Sequence, residues 1–514
     1  MRLSWEKNNM LLRPTNEDFR TIAYYIGRLT VGLGFIFIIP LLTALIFREW
    51  DMAVNFLISM LISILFGLLL QKLFPSHHDL NWSQGLSVTS LFWLVAMFLG
   101  AIPLMLSGHY ASYLDACFDS MSGFATTGLA LIQNLDHAAH SLNMWRHLIM
   151  FLGGQGIVVI ALTFLVRGTA GAYRMYVGEA REEKVLPNVI QTARFIWFIS
   201  LVYLVIGTTL LTLIGWLEGI PIVRAFLHGI WIFMAAFDTG GFTPHSQSIL
   251  YYHSLPYELV TIVLMVLGTL NFSLHYALWS GKLKEFFKNV ETRTLFVSIS
   301  VLFTISVIGL TQLRVYPTWL GMFRKGFYQM ISAHTGTGYM TIYAPQFPQE
   351  WGFLALLMIT MAMGFGGSAC STAGGIKALR IGIFFKALIQ DIRRIMAPGS
   401  AVIVAKIHHI KDIVLEDRLV RSSLIILITY VVTYFAGTII GLYYGYPFDQ
   451  ASFESVSAAA NVGLSTGITD PMMPTGLKIT YIIQMWIGRL EFMSIFILIG
   501  IAIARFSGAK GRSK

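Results

Sequence analysis

Gly366-Gly367-Ser368-Ala369-Cys370-Ser371-Thr372-Ala373-Gly374-Gly375-Ile376-Lys377 interrupts an apolar run that extends from Phe353 to Ile389. A membrane helix gains nothing from four glycines at its centre, because each costs about 1 kcal/mol relative to alanine and frees backbone groups. The chain must leave the helix here. Within a bilayer, non-helical backbone survives only where it is buried in protein or lines a water-filled path. The stretch therefore predicts a polytopic membrane protein with a solute pathway.

Composition agrees. The 514 residues are 56% hydrophobic and 12% charged, against about 25% charged in a soluble domain. Residues 1–20 are polar and carry no apolar core with a small-residue cleavage site, so the first helix is expected to serve as its own insertion signal. Cys117 and Cys370 are the only cysteines, and no disulfide is expected. The net charge of +10 is spread by topology over loops 166–194, 281–293 and 386–421 and both termini. That is the positive-inside pattern, which puts these loops and both termini in the cytoplasm and gives no nucleic-acid patch.

Apolar runs of roughly 20 residues fall at 22–47, 53–73, 86–107, 143–165, 195–216, 257–280, 295–313, 353–389 (broken), 422–445 and 477–504. Four half-length stretches remain, at 113–125, 222–237, 322–335 and 448–461, which suit re-entrant segments. They close on Gly128, Gly240, Gly338 and Gly463, and a second glycine follows at Gly153, Gly268, Gly364 and Gly488, a spacing of 25, 28, 26 and 25 residues. Such regularity makes the order span, half-helix, loop, span a fourfold repeat.

The expected fold is all-α: four units of helix, half-helix and helix around a pseudo-fourfold pore, plus an N-terminal two-helix hairpin. Its parts are 1–75 (N-terminus and hairpin), repeats 86–165, 195–280, 295–389 and 422–504, and a basic tail, 505–514.

Four half-helices aimed at one axis suit a selectivity filter, in which backbone carbonyls replace an ion's hydration shell. Glycine lets the carbonyls turn inward, and half-helix C-termini favour cations. Carbonyls without a carboxylate ring favour potassium over calcium or magnesium. The plainer alternative is that the glycines only allow close helix packing.

Asp238 and His334 are the ionisable residues nearest the filter glycines and are expected near the outer mouth, in a functional or a hydrogen-bonding role. Arg489, directly after Gly488, occupies a register held by uncharged Gly154, Thr269 and Phe365 elsewhere. It is expected to face the pore below the filter as a fixed cation. A bridge to Glu491 is the alternative, although residues two apart do not share a helix face.

Thr126-Thr127-Gly128-Leu129, Asp238-Thr239-Gly240-Gly241, Thr337-Gly338-Tyr339, Asn461-Val462-Gly463-Leu464, the stretch 366–377 and Gly488-Arg489-Leu490-Glu491 together resemble the Trk/Ktr/HKT superfamily of potassium transporters. The extra hairpin is similar to its bacterial TrkH branch. The resemblance covers nearly the whole chain.

It implies a homodimer in the bacterial inner membrane and a K+ filter at Thr126, Thr127, Gly128, Thr239, Gly240, Thr337, Gly338, Asn461, Val462 and Gly463. It also implies an intramembrane gating loop at 364–375. The gate residues would be Gly366, Gly367, Ser368, Ser371, Thr372, Gly374, Gly375 and Lys377, with Arg489 nearby. A cytoplasmic ring of nucleotide-binding regulatory subunits would dock on the basic loops 166–194, 281–293 and 386–418. Potassium is then the transported ion, nothing is bound covalently, and nucleotide enters only through that partner. Repeat 2 departs by placing Met234 where Ser122, Ser332 and Ser457 stand.

The leading reading is channel-like potassium uptake, the third span alone carrying a long insertion that acts as a gate. A proton- or sodium-coupled cotransporter is the second. An intramembrane enzyme is disfavoured, because Ser368, Cys370 and Ser371 have no histidine or paired carboxylate in their segment. His77-His78 and His408-His409 lack metal-ligand spacing and read as solvated loop histidines.

Overall fold

The computed structural model describes residues 15–76, 78–156, 169–179, 188–398, 401 and 403–509. Long apolar runs between capping residues make it helical. Asn81 opens Trp82–Leu106 as a capping box, accepting the Gln84 N–H while the Gln84 side chain accepts the Asn81 N–H. Ser254 caps Leu255–Thr269 by accepting the Tyr257 N–H.

Among the described residues, six helices are long and apolar enough to cross a bilayer, including Trp50–Leu73, Ile190–Leu217 and Asp417–Tyr443. The protein is a polytopic all-α membrane protein. Four short helices, Tyr113–Phe124, Ile222–Phe237, Tyr328–Thr335 and Phe448–Ala459, occupy the half-length stretches, the third entered through a π-helical turn at Met322–Phe327.

The N-terminal hairpin closes at Gly27 and Gly67, where a Cβ on either residue would lie 2.7 or 2.6 Å from the other's carbonyl. Backbones approach this closely only where both positions lack side chains. Fully buried Trp145 ties the hairpin to the first repeat, its ring 4.4 Å from Phe37 and 6.3 Å from Phe124.

Several expected spans are not straight. The run at 22–47 is interrupted at Phe37, because Pro40 has no N–H for the Ile36 carbonyl. The runs at 257–280 and 477–504 are bent pairs, Leu255–Thr269 with Phe272–Trp279 at 104° and Thr475–Arg489 with Met493–Ala504 at 110°. In the first, Asn271 accepts the Ser273 N–H and starts a new helix. In the second, Glu491 and Phe492 sit in left-handed conformations, with φ of 48° and 69°.

The 143–165 run is helical over His140–Gln155 and leaves the helix at Gly156, with φ of 89°, while 157–165 lies outside the described residues. The second span of every repeat thus leaves its helix just past the second glycine. Repeat 3 is therefore not distinguished by being broken.

The basic loops are described in part: Arg167, Arg181, Lys184 and the basic residues of both termini lie outside the described residues, as does His77. Lys406–His409 and Lys411–Val414 form an antiparallel hairpin. This corrects the solvated-loop reading of two histidines. His409 is buried, and His408 lies between Glu285 Oε2 at 2.9 Å and Asp412 Oδ1 at 2.7 Å.

Candidate functional site

Each half-helix ends in the same turn. Its first residue is left-handed: Thr126 (φ 52°), Thr239 (50°), Gly336 (76°) and Asn461 (56°). The middle residue donates its N–H to the carbonyl five residues back: Thr127 to Ser122 (2.8 Å), Gly240 to Ala235 (2.8 Å), Thr337 to Ser332 (3.0 Å) and Val462 to Ser457 (2.9 Å). The third residue is a glycine with positive φ: Gly128 (93°), Gly241 (75°), Gly338 (80°) and Gly463 (94°).

This geometry shifts repeat 2 by one residue. Its positive-φ glycine is Gly241, Gly240 is the middle residue, and Ala235 rather than Met234 stands at the serine position. The apparent departure of repeat 2 becomes a small-for-small replacement.

The four turns close on one another in a ring. A Cβ on Gly128 would lie 2.4 Å from the Gly240 carbonyl oxygen, on Gly241 2.1 Å from that of Thr337, on Gly338 2.0 Å from that of Val462, and on Gly463 2.0 Å from that of Thr127. Each repeat thus presents its glycine to the middle carbonyl of the next, and the fourth returns to the first. Backbone touches backbone around the whole circuit, which no residue but glycine permits. The four glycines open together onto one vestibule of about 240 Å³, lined also by Leu129, Phe242 and Met340.

Residues that the sequence reading passed over hold the vestibule walls. Seven positions before the left-handed residue stand Asp119, Ile232, Gln329 and Glu454. Asp119 accepts the Leu131 N–H at 2.5 Å and the Tyr110 hydroxyl at 2.9 Å. Glu454 accepts the Thr466 N–H at 2.8 Å and the hydroxyls of Ser465 and Thr469 at 2.5 and 2.7 Å. Gln329 donates to the Thr341 hydroxyl at 3.1 Å. Three repeats use one polar side chain to fix the chain 12 residues further on, and in repeat 2 the Ile232 carbonyl accepts the Tyr339 hydroxyl at 3.0 Å. The signal was a carboxyl or amide at one register of otherwise apolar half-helices.

On the opposite side of the ring lies the stretch 366–377. Its two ends are stitched together, Gly366 N–H to Ile376 O at 2.9 Å and Ile376 N–H to Gly364 O at 3.1 Å. From there it reaches three neighbours. Ser368 and Thr372 donate their N–H groups to Thr269 O (3.0 Å) and Gly268 O (3.2 Å), and the Thr372 hydroxyl contacts Phe237 O (3.0 Å) and the Thr239 hydroxyl (3.3 Å). Ala369 donates its N–H to Glu291 Oε1 at 2.6 Å. Gly374 lies so close to repeat 4 that a Cβ would stand 2.3 Å from Ala460 O.

Arg489 completes this layer, donating to Thr372 O (2.6 Å), Gly153 O (2.5 Å), Gly154 O (3.3 Å) and the Thr126 hydroxyl (3.1 Å). It therefore joins repeat 4 to repeat 1 and to the loop. Glu491 faces Lys377, 3.6 Å away, and Arg380, while the Lys377 ammonium donates to Ala373 O. Between Ser371, Lys377, Arg489 and Glu491 the open space is about 20 Å³, room for roughly one water.

Asp238 and His334 lie on this loop side and not at the outer mouth. Asp238 accepts the Gln155 amide at 2.6 Å, and His334 Nε2 is 2.7 Å from the Ser298 hydroxyl. The second-span glycines also divide. A Cβ on Gly153, Gly268 or Gly488 would lie 1.8–1.9 Å from the carbonyl of Phe124, Phe237 or Ala459, whereas at Gly364 the nearest atom is 3.6 Å away. The third repeat gives up that contact where its insertion begins.

Residues 52–505 match the family model TrkH, described as a cation transport protein. An uncharacterized cation transporter of Methanocaldococcus jannaschii is 32% identical over 494 residues, covering 95% of this chain and 97% of that protein. The Trk system potassium uptake protein TrkH of Escherichia coli K12 is 28% identical, covering 93% and 98%. The crystal structure of the potassium transporter TrkH from Vibrio parahaemolyticus superposes with a TM-score of 0.79 at 25% identity, covering 94% of this chain and 98% of that one.

Proposed function

The chain belongs to the TrkH family of cation transport proteins, and from that premise we propose that it conducts potassium through the ring of half-helix turns into the cytoplasm. The observation that carries this reading is the closed circuit of Gly128, Gly241, Gly338 and Gly463 against the carbonyls of Gly240, Thr337, Val462 and Thr127. Relatives named for potassium uptake support the choice of ion.

The mechanism follows from the parts. A hydrated cation enters the vestibule, and four half-helices present the negative ends of their dipoles toward it. It sheds water for carbonyls at 126–128, 239–241, 336–338 and 461–463. A membrane potential supplies about 2.3 kcal/mol per charge per 100 mV, enough to draw potassium inward without covalent chemistry.

Below the ring, the stretch 366–377 and Arg489 form the gate. About 20 Å³ is free between them, which supports reading this arrangement as the closed gate. Opening must break the Arg489 bonds to Thr372 and Gly153, so Arg489 acts as latch and fixed cation together. The functional units are the four repeats as delimited above. The protein works as a homodimer in the plasma membrane, basic loops and termini in the cytoplasm, under a nucleotide-binding regulatory ring.

Flux through purified protein in liposomes, under separate potassium, sodium and proton gradients, tests the reading. Potassium entry whose reversal potential follows the potassium gradient alone is expected. Flux no faster than through empty liposomes, with and without a cytoplasmic partner, overturns it. A reversal potential that shifts with pH or sodium replaces the channel with a cotransporter.

A further inference from the structure

A cavity of about 730 Å³ lies outside the pore. It runs between Val290–Gln312, Gly352–Gly364 and Ala378–Met396 and ends at the hairpin that begins at Lys406. Its size is within the roughly 300–1,000 Å³ of small-molecule sites. Along the helices its walls are apolar, formed by residues such as Val297, Val301, Met361 and Phe385, which are 59%, 52%, 39% and 55% exposed. At one end four cations converge on it: Lys288, Arg293, Lys386 and Lys406. The acidic groups there, Asp412 and Glu285, are bridged by His408.

We propose that this groove binds one anionic phospholipid per chain, an acyl chain against Val301 and Phe385 and the phosphate among the four cations. A purely apolar groove would take any acyl chain. The charge at one end selects among lipids, because basic pockets between membrane helices attract anionic headgroups. The cations stand at the end where the positive-inside pattern puts the cytoplasmic leaflet.

The site also touches both stems of the stretch 366–377. Phe365, on the groove wall, pairs backbone to backbone with Ile376, and Ile381 lines the same wall. A lipid seated here packs directly on those stems. The binding claim is independent of whether the stretch is a gate.

Native mass spectrometry of the full-length protein tests it, with phosphatidylglycerol and phosphatidylcholine of identical chains added separately. The wild type is expected to retain phosphatidylglycerol at about tenfold lower concentration than phosphatidylcholine. A K288Q/R293Q/K386Q/K406Q variant should reduce that preference to less than twofold while still binding phosphatidylcholine. V301W, which fills the exposed apolar wall without touching the buried interior, should lose one bound lipid of either kind.

Equal retention of the two lipids by the wild type overturns the proposal without recourse to a variant. So does unchanged phosphatidylglycerol retention in both variants. If V301W instead alters the oligomeric mass while lipid retention stays constant, the groove is occupied by a second copy of the chain and the lipid assignment falls.

Discussion

The two layers that meet at the half-helix ends differ in how they are built. On the vestibule side one turn occurs four times, with the same hydrogen bond and the same glycine against the next repeat's carbonyl. On the other side a single insertion reaches unequally into repeats 2 and 4, and Arg489 links it to repeat 1. The symmetric layer is held by backbone that cannot move in one repeat without displacing the next. The asymmetric layer is held by a few hydrogen bonds that can be exchanged. A filter needs the first property and a gate the second.

The sharpest break of that contrast is a substitution in the ring. Gly463→Ala or Gly338→Ala places a Cβ about 2.0 Å from a carbonyl in a conformation that costs a side chain roughly 1–2 kcal/mol. Potassium flux in liposomes should fall at least tenfold, or potassium-over-sodium selectivity should collapse. A variant that keeps both would separate the ring from conduction.

In the other layer, Arg489→Ala removes the hydrogen bonds to Thr372 O and Gly153 O, and on the proposed gating role flux should rise severalfold with selectivity unchanged. Gly374→Ala, which presses on Ala460, should likewise change rate but not selectivity. If either variant altered ion preference, the division into filter and gate would be wrong.

A smaller effect is expected at the braces. Glu454→Ala leaves the buried Thr466 N–H without its acceptor, which costs about 1–3 kcal/mol. The measurable result is a lower melting temperature in detergent. Ile232, which uses only its backbone carbonyl, should tolerate valine with little change.

The smallest effect belongs to the cytoplasmic hairpin. Hydrogen bonds donated to the carboxylates of Glu285 and then Asp412 raise the pKa of His408. Its contribution is therefore complete below the ordinary histidine value of about 6.5 and lost as pH rises through the higher folded value. Hydrogen exchange at 406–414 should accelerate over that rise in the wild type and be flat in His408→Gln. Equal pH dependence in both would remove His408 from hairpin docking.

Much of this was legible in the chain. The half-length stretches and the apolar runs pointed to a polytopic helical protein with four short helices, because segment length and glycine placement are direct consequences of the bilayer. The bends near Asn271 and Glu491 were not, since apolar continuity reports on side chains and says nothing of backbone direction. Repeat 2 was read one residue early for a related reason: Gly240 and Gly241 are adjacent, and identity alone does not say which takes positive φ. Asp119 and Glu454 were visible but unremarked, because their shared register emerges only once the four turns are superposed.

On the proposed function, the ring of turns binds a permeant cation in dehydrated form. Anomalous diffraction from crystals grown in a rubidium salt tests this most directly. A rubidium peak is expected on the ring axis, surrounded by the carbonyls of Thr127, Gly240, Thr337 and Val462. Rubidium confined to the vestibule, with the ring axis empty at saturating salt, would contradict it.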